Sequence, residues 1–258
     1  MRHPGERGLA AAVAIVLIAA SPVAAKTISG GKGKDRLRGT SKADTIRGGA
    51  GNDRIAGRSG RDRLFGQRGR DRIDGGRGND RVDGGSSADR LKGASGRDRV
   101  RGRGGNDRLY GDTSADRLTA DSGDDLLRGG AGNDRLAGGR GGDRLFGDAG
   151  NDVLFAGRPT GPDGTGDDLF GGIGNDRLRG DTGIDRVEGG PGNDNMTGGA
   201  DEDDLVGGSG NDRIDARDGA EDTIDCGPGE DTVIVDAAED GVTDCENVAF
   251  PPNVPPGP

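Results

Sequence analysis

Residues 30–38 read GGKGKDRLR, and from there the pattern G-G-x-G-x-D-x-U-x, with U aliphatic, restarts every nine residues. The sixth-position acid recurs without a slip at Asp35, Asp44, Asp53, Asp62, Asp71, Asp80, Asp89, Asp98, Asp107, Asp116, Asp125, Asp134, Asp143 and Asp152. Six extra residues, assigned to Ala156 to Gly161, then intervene. The register resumes at Asp167, Asp176, Asp185, Asp194, Asp203 and Asp212, and looser units follow at Asp222 and Asp231. In all 22 units the eighth position is Leu, Ile, Val or Met. A fixed period of this kind has to be read before any other feature, because it decides the architecture.

Each unit carries its own local instructions. Glycine at the first, second and fourth positions permits positive φ and close approach of neighbouring turns. Alternation over positions seven to nine turns the eighth side chain inward and its neighbours outward, which predicts a three-residue strand. One nonapeptide thus makes a loop and a strand, and two make a coil. Coils stacked as parallel strands bury a narrow aliphatic column between two sheets. The expected fold is all-β: a parallel β-roll or β-helix solenoid of nonapeptide repeats. Stacking also sets each sixth-position carboxylate close to its counterparts above and below, at a strand spacing of about 4.8 Å, where like charges repel. A hard cation between coils, held by carboxylates and loop carbonyls, removes that repulsion. Calcium suits the task because it accepts roughly six to eight oxygen ligands in loose geometry.

Composition agrees. Leu, Ile, Val and Phe total only 44 of 258 residues, while 56 are Gly, one is Tyr and none is Trp. That is too little large apolar surface for a layered globular core, so order must come from repetition and bound ions. The one histidine, His3, falls in the leader described below, which leaves no imidazole for a Ser-His-Asp or Cys-His nucleophile or a His-ligated metal. Gly31 to Asp35 lacks the spacing of a phosphate loop, and no window fits an EF-hand.

On these residues the chain resembles the RTX, or hemolysin-type calcium-binding repeat, family from Gly30 to about Asp231. The resemblance implies Ca2+ ions between successive loops on both edges of the roll. Side-chain ligands would be the acids from Asp35 to Asp152 and from Asp167 to Asp212 named above. Loops that depart from the pattern, at Lys42, Ser87, Ser114 and Asp201 in the fourth position and Arg58, Gln67, Asp112, Asp121, Asp148 and Asp181 in the second, are expected to bind more weakly. Relatives of this kind commonly sit behind a toxin, protease or lipase domain, which is not visible here, so no catalytic role is expected.

The remaining segments read as follows. Residues 1–25, with Arg2 and Arg7 ahead of the apolar run Leu9 to Ala20 and a small-residue end at Val23-Ala24-Ala25, predict a cleaved secretory signal peptide; the run is too short to span a membrane. The first repeat block is 26–155 and the second 162–225. A C-terminal cap spans 226–250, and 251–258 is a Pro-rich tail. Cys226 and Cys245, the only cysteines, are expected to form a disulfide in an exported protein. Arginine fills the seventh position in 14 of 22 units, placing Arg36, Arg54, Arg72, Arg90 and Arg108 in one outward column and Arg63, Arg81, Arg99, Arg117 and Arg135 in the other. The function expected is that of a secreted, extracellular, non-catalytic calcium-binding repeat protein whose folding is coupled to the ion. The alternative is a calcium-stiffened adhesive module for anionic cell-surface polymers or polysaccharide. Neither nucleic acid nor a membrane span is expected.

Overall fold

The computed structural model describes residues 24–158, 165–236 and 241–250. Of the assigned leader only Ala24 and Ala25 fall within that range, and the Pro-rich tail from 251 lies outside it. Twenty-five strands, and no helix among the described residues, form two parallel sheets of thirteen and twelve strands. Successive strands alternate between the sheets, so the chain winds as a β-solenoid of about twelve turns.

Register follows the repeat. In the thirteen-stranded sheet Ile46 pairs with Leu64, Leu64 with Val82 and Val82 with Val100. In the twelve-stranded sheet Ile55 pairs with Ile73, Ile73 with Leu91 and Leu91 with Leu109. A step of 18 residues returns the same repeat position to the same place. Every eighth-position residue from Ile46 to Val233 is therefore sealed in the column between the sheets. Each contributes about 1.5–3 kcal/mol by burial, but a coil supplies only two of them.

The strands are longer than the sequence predicts. Arg63–Arg68 and its counterparts run six residues, from the seventh position through the third of the next unit, and only positions four to six turn. Two features carry pairing past the ninth position. The first position faces inward and stays small: glycine, or the buried Ala120, Ala156, Ala216 and Cys226. The second position bends the chain at positive φ without breaking the ladder, so that Gly49 still pairs with Gln67. The non-glycine residues that break the pattern at that position, such as Arg58 (φ 84°) and Gln67 (φ 85°), hold the same left-handed conformation as the glycines.

The extra residues fall later than their assignment to Ala156 to Gly161. Strand Val153–Arg158 carries the repeat through Ala156, which is buried, and Gly157, which pairs with Gly139. The rest of that assignment, 159–161, lies outside the described residues. The roll is not interrupted there, because Leu145 pairs with Leu169 and Leu154 with Leu178 across a 24-residue step. Phe146 stacks on Phe170 across the same junction, with ring centroids 4.9 Å apart.

At the C-terminal end both sheets continue past the repeats. Thr232–Val235 is followed by Asn247–Ala249 in one, and Thr223–Asp225 by Gly241–Thr243 in the other. A disulfide joins Cys226 to Cys245 and ties this last coil down. Cys226 itself takes the inward first position and is fully buried.

Candidate metal centre

The sixth-position aspartate sits where the turn re-enters the strand, and its main chain already belongs to the ladder: Arg81 N–H donates to the carbonyl of Asp62, and Arg99 N–H to that of Asp80. Its side chain folds back along the rod axis. Oδ1 of Asp62 accepts the backbone N–H of Asp44 at 2.7 Å, and Oδ1 of Asp80, Asp98 and Asp116 each accept the N–H of the aspartate one coil earlier at the same distance. One row begins with Lys26 N–H on Asp44 and runs through Asp134, Asp152, Asp176, Asp194 and Asp212 to Asp231. The second runs from Asp35 through Asp53, Asp71, Asp89, Asp107, Asp125, Asp143, Asp167, Asp185 and Asp203 to Asp222.

The other carboxylate oxygen is the unusual atom. In nineteen of these aspartates, Asp53 to Asp212 and Asp231, Oδ2 is buried with no hydrogen-bond partner. Where the first position of the unit is glycine, Oδ2 lies over it. A methyl group on Gly57 would collide with Oδ2 of Asp62 and with the carbonyl oxygen of Gly75 one coil on; Gly66 stands likewise between Asp71 and Gly84. A carboxylate oxygen and a main-chain carbonyl oxygen from adjacent coils thus converge over a bare Cα.

Electrostatics shows what this costs. Burial pushes these carboxyls up, partly offset by the hydrogen bond from the preceding aspartate's N–H and reinforced by the charges above and below. Asp89, Asp116, Asp143 and Asp185 rise to about 8. Asp98, Asp107, Asp152, Asp194 and Asp203 rise to about 7, and Asp71, Asp80, Asp125 and Asp167 to about 6. A buried polar atom without a partner is destabilising, and a row of them calls for a counter-charge.

The donor set fits a hard cation, because carboxylate and carbonyl oxygens are what calcium prefers, and nothing softer is present at the turns. Among the described residues no three acids gather at one point. Each coil offers one carboxylate to each row, so further donors have to be main-chain carbonyls such as those of Gly75 and Gly84.

The acids expected from the sequence share this arrangement with two exceptions at the N-terminal end. Oδ2 of Asp35 accepts the N–H of Gly31 at 2.7 Å, and Oδ2 of Asp44 accepts both the N–H and the hydroxyl of Thr40. These two already have partners. Sequence reasoning missed three contributors. Asp231 joins the orphaned set. Glu246 closes its row by accepting the N–H of Asp231 at 2.9 Å; nothing in the nonapeptide pattern marks it, since it lies 15 residues on. A fifth-position row, Asn133, Asn151, Asn175, Asn193 and Asn211, also runs along the turns, each Oδ1 accepting from the following coil. The recurring G-N-D triplet was its visible signal.

Comparison with protein families places the chain beside one of them. The family described as RTX calcium-binding nonapeptide repeat (4 copies) matches residues 29–64, 57–91, 83–118, 92–127, 110–144, 128–158, 170–205 and 197–233. A comparison with curated proteins gave no match.

Proposed function

Because this chain belongs to the RTX calcium-binding nonapeptide-repeat family, and is thus a calcium-binding repeat protein, we propose that it works as a secreted, non-catalytic rod that folds on the ion. The observation that carries the reading is the set of nineteen buried Oδ2 atoms, fourteen of which converge with a carbonyl of the adjacent coil over a first-position glycine. The aspartates from Asp53 to Asp212, with Asp231, would hold calcium; when bound, the ion supplies charge neutralisation and oxygen coordination to neighbouring turns. The chain's own residues do the rest. The preceding aspartate's N–H fixes Oδ1 so that Oδ2 points at the site, and the first-position glycine leaves the space open. The aliphatic column sets coil-to-coil spacing.

A non-catalytic role is favoured because the regularly placed acids are sealed, with Asp62, Asp107 and Asp143 each 1% exposed, rather than offered to a substrate. Export is favoured by the leader-like residues 1–25 and by the disulfide. A second reading, an adhesive module for anionic polymers, is favoured by the exposed arginine columns.

Far-UV circular dichroism during a calcium titration tests the first reading. The expected result is a cooperative gain of β-structure with a midpoint near the ~10⁻⁴ to 10⁻³ M range of extracellular calcium modules. An identical β-spectrum in excess chelator overturns it.

A further inference from the structure

Charge is distributed unevenly along the rod. Residues 26–135 contain 26 Lys plus Arg against 17 Asp plus Glu, a net charge of +9, whereas residues 136–250 contain 8 against 28, a net charge of −20. Of the 17 acids in the first segment, twelve belong to the sixth-position rows, which leaves Asp74, Asp83, Asp112, Asp121 and Asp124. Three of those five are engaged, Asp83 by Arg103, Asp112 by Lys92 and Asp121 by Arg101. Little acidic surface remains to answer the arginines.

One edge concentrates them. Along the turns of the thirteen-stranded sheet, Arg63, Arg81, Arg99, Arg117 and Arg135 stand in direct register, flanked by Arg61 and Arg97 from the fifth position. Together they line a groove of about 810 Å³, which the sealed sixth-position Asp44, Asp62, Asp80, Asp98 and Asp116 also line, so that seven guanidinium groups stand against five carboxylates. Among the described residues no ion pair, hydrogen bond or ring contact engages any of these seven guanidinium groups, whereas several arginines elsewhere, such as Arg128 with Asp148, are paired with acids. The corresponding hollow along the other sheet's turns has a single charged residue, Arg70, and the arginines of that sheet's face, Arg36, Arg38, Arg54 and Arg72, share a smaller hollow with Asp74. In that sheet's own column Arg90 is spent on the ring of Tyr110. Like charges stacked at about 4.8 Å intervals repel, so an unanswered cationic row is a site for an external anion.

We propose that this groove is a docking track for a linear acidic polysaccharide, laid along the rod axis in the N-terminal half, and that the arginine row reads its evenly spaced sulfate or carboxylate groups. A straight row with a constant step suits a stiff chain whose charges repeat with its sugars. Single-stranded nucleic acid fits worse, because none of the groove residues is aromatic and bases would have nothing to stack on. The acidic second half keeps the polymer off the remainder of the rod and gives the track a direction. This inference rests on the second reading above. It needs the folded rod, but not calcium's charge, since residues 26–135 are cationic before any ion is counted.

The test uses the full chain in millimolar calcium, with immobilised dextran sulfate and polygalacturonate as probes and neutral dextran as control. Two charge-matched variants are compared, R63Q/R81Q/R99Q/R117Q in the groove and R54Q/R72Q/R90Q/R108Q in the other column. Wild-type protein is expected to bind both acidic glycans, more weakly as salt rises. The groove variant should bind about thirtyfold more weakly, taking exposed charge pairs at mid-range, and the other variant should lose much less. Equal loss in both variants, absence of binding, or tighter binding of single-stranded DNA than of either glycan would overturn the proposal. Circular dichroism in the same buffer separates the two readings: a wild-type chain that does not fold with calcium defeats the rod, whereas a folded rod that ignores the glycans defeats only the track. If the fourfold groove variant is unfolded, R99Q/R117Q replaces it, with the same direction expected.

Discussion

The aliphatic column and the two carboxylate rows run the length of the same rod and are equally hidden from water, but they hold it together in opposite ways. Leu64, Leu91 and Leu118 gain simply by being enclosed. Asp62, Asp89 and Asp116, stacked in the same coils, are enclosed with one oxygen unanswered and with charged neighbours above and below. The first region stabilises the fold unconditionally, whereas the second opposes it until a cation arrives. A column two side chains per coil in breadth leaves a small margin, so the balance between the regions decides whether the chain is folded.

The comparison breaks most visibly if calcium is withdrawn. In chelator near pH 8 the rod should lose most of its β-structure by circular dichroism, and lowering the pH to about 5 should restore part of it. The sign follows from the raised carboxyls. A group whose folded-state value lies at 6 to 8, above about 3.9 unfolded, favours the fold while it is protonated, and that contribution disappears as pH rises through the folded value. A calcium-free rod that is more stable at pH 8 than at pH 5 would contradict this. The same linkage requires calcium binding near pH 7 to release protons, which a weakly buffered titration reads directly.

Substitution sharpens the contrast. Leu118→Ala should cost about 2–5 kcal/mol in calcium-loaded protein, by denaturant unfolding, because the cavity in a fully buried column cannot collapse. Reducing Cys226–Cys245 should cost about 3 kcal/mol from loop closure over 19 residues. Asp98→Asn should change sign with conditions. In chelator it removes a buried charge and stabilises by about 1 kcal/mol or more; in calcium it removes a ligand and lowers both stability and ion count. Smallest of all, Asn175→Ala deletes one exposed coil-to-coil hydrogen bond and should cost at most about 1 kcal/mol.

Much of this was legible in the chain. The period fixed the pairing of Ile46 with Leu64, the aliphatic eighth position located the column, and the sixth-position acids located both rows. What escaped has a common cause: a repeat names positions but not where a strand ends or what a neighbouring coil donates. The inward first position was hidden by glycine, which signals flexibility and close approach alike, and Ala120, Ala156, Ala216 and Cys226 are what betray burial there. The self-satisfied Asp44 depended on Thr40, whose N–H and hydroxyl the repeat pattern does not mark as partners. Glu246 reaches its row after an irregular step that no period predicts. The arginine groove required knowing which acids are already occupied, and that is a property of the fold.

The central claim is that the buried Oδ2 atoms are calcium ligands, and anomalous scattering from crystals grown in calcium tests it most directly. The account predicts two rows of anomalous peaks along the turns, each within bonding distance of a sixth-position Oδ2 and a first-position carbonyl of the adjacent coil, and missing at Asp44. Peaks confined to the exposed acids of residues 200–250, or an ordered rod with no peaks in the rows, would contradict it.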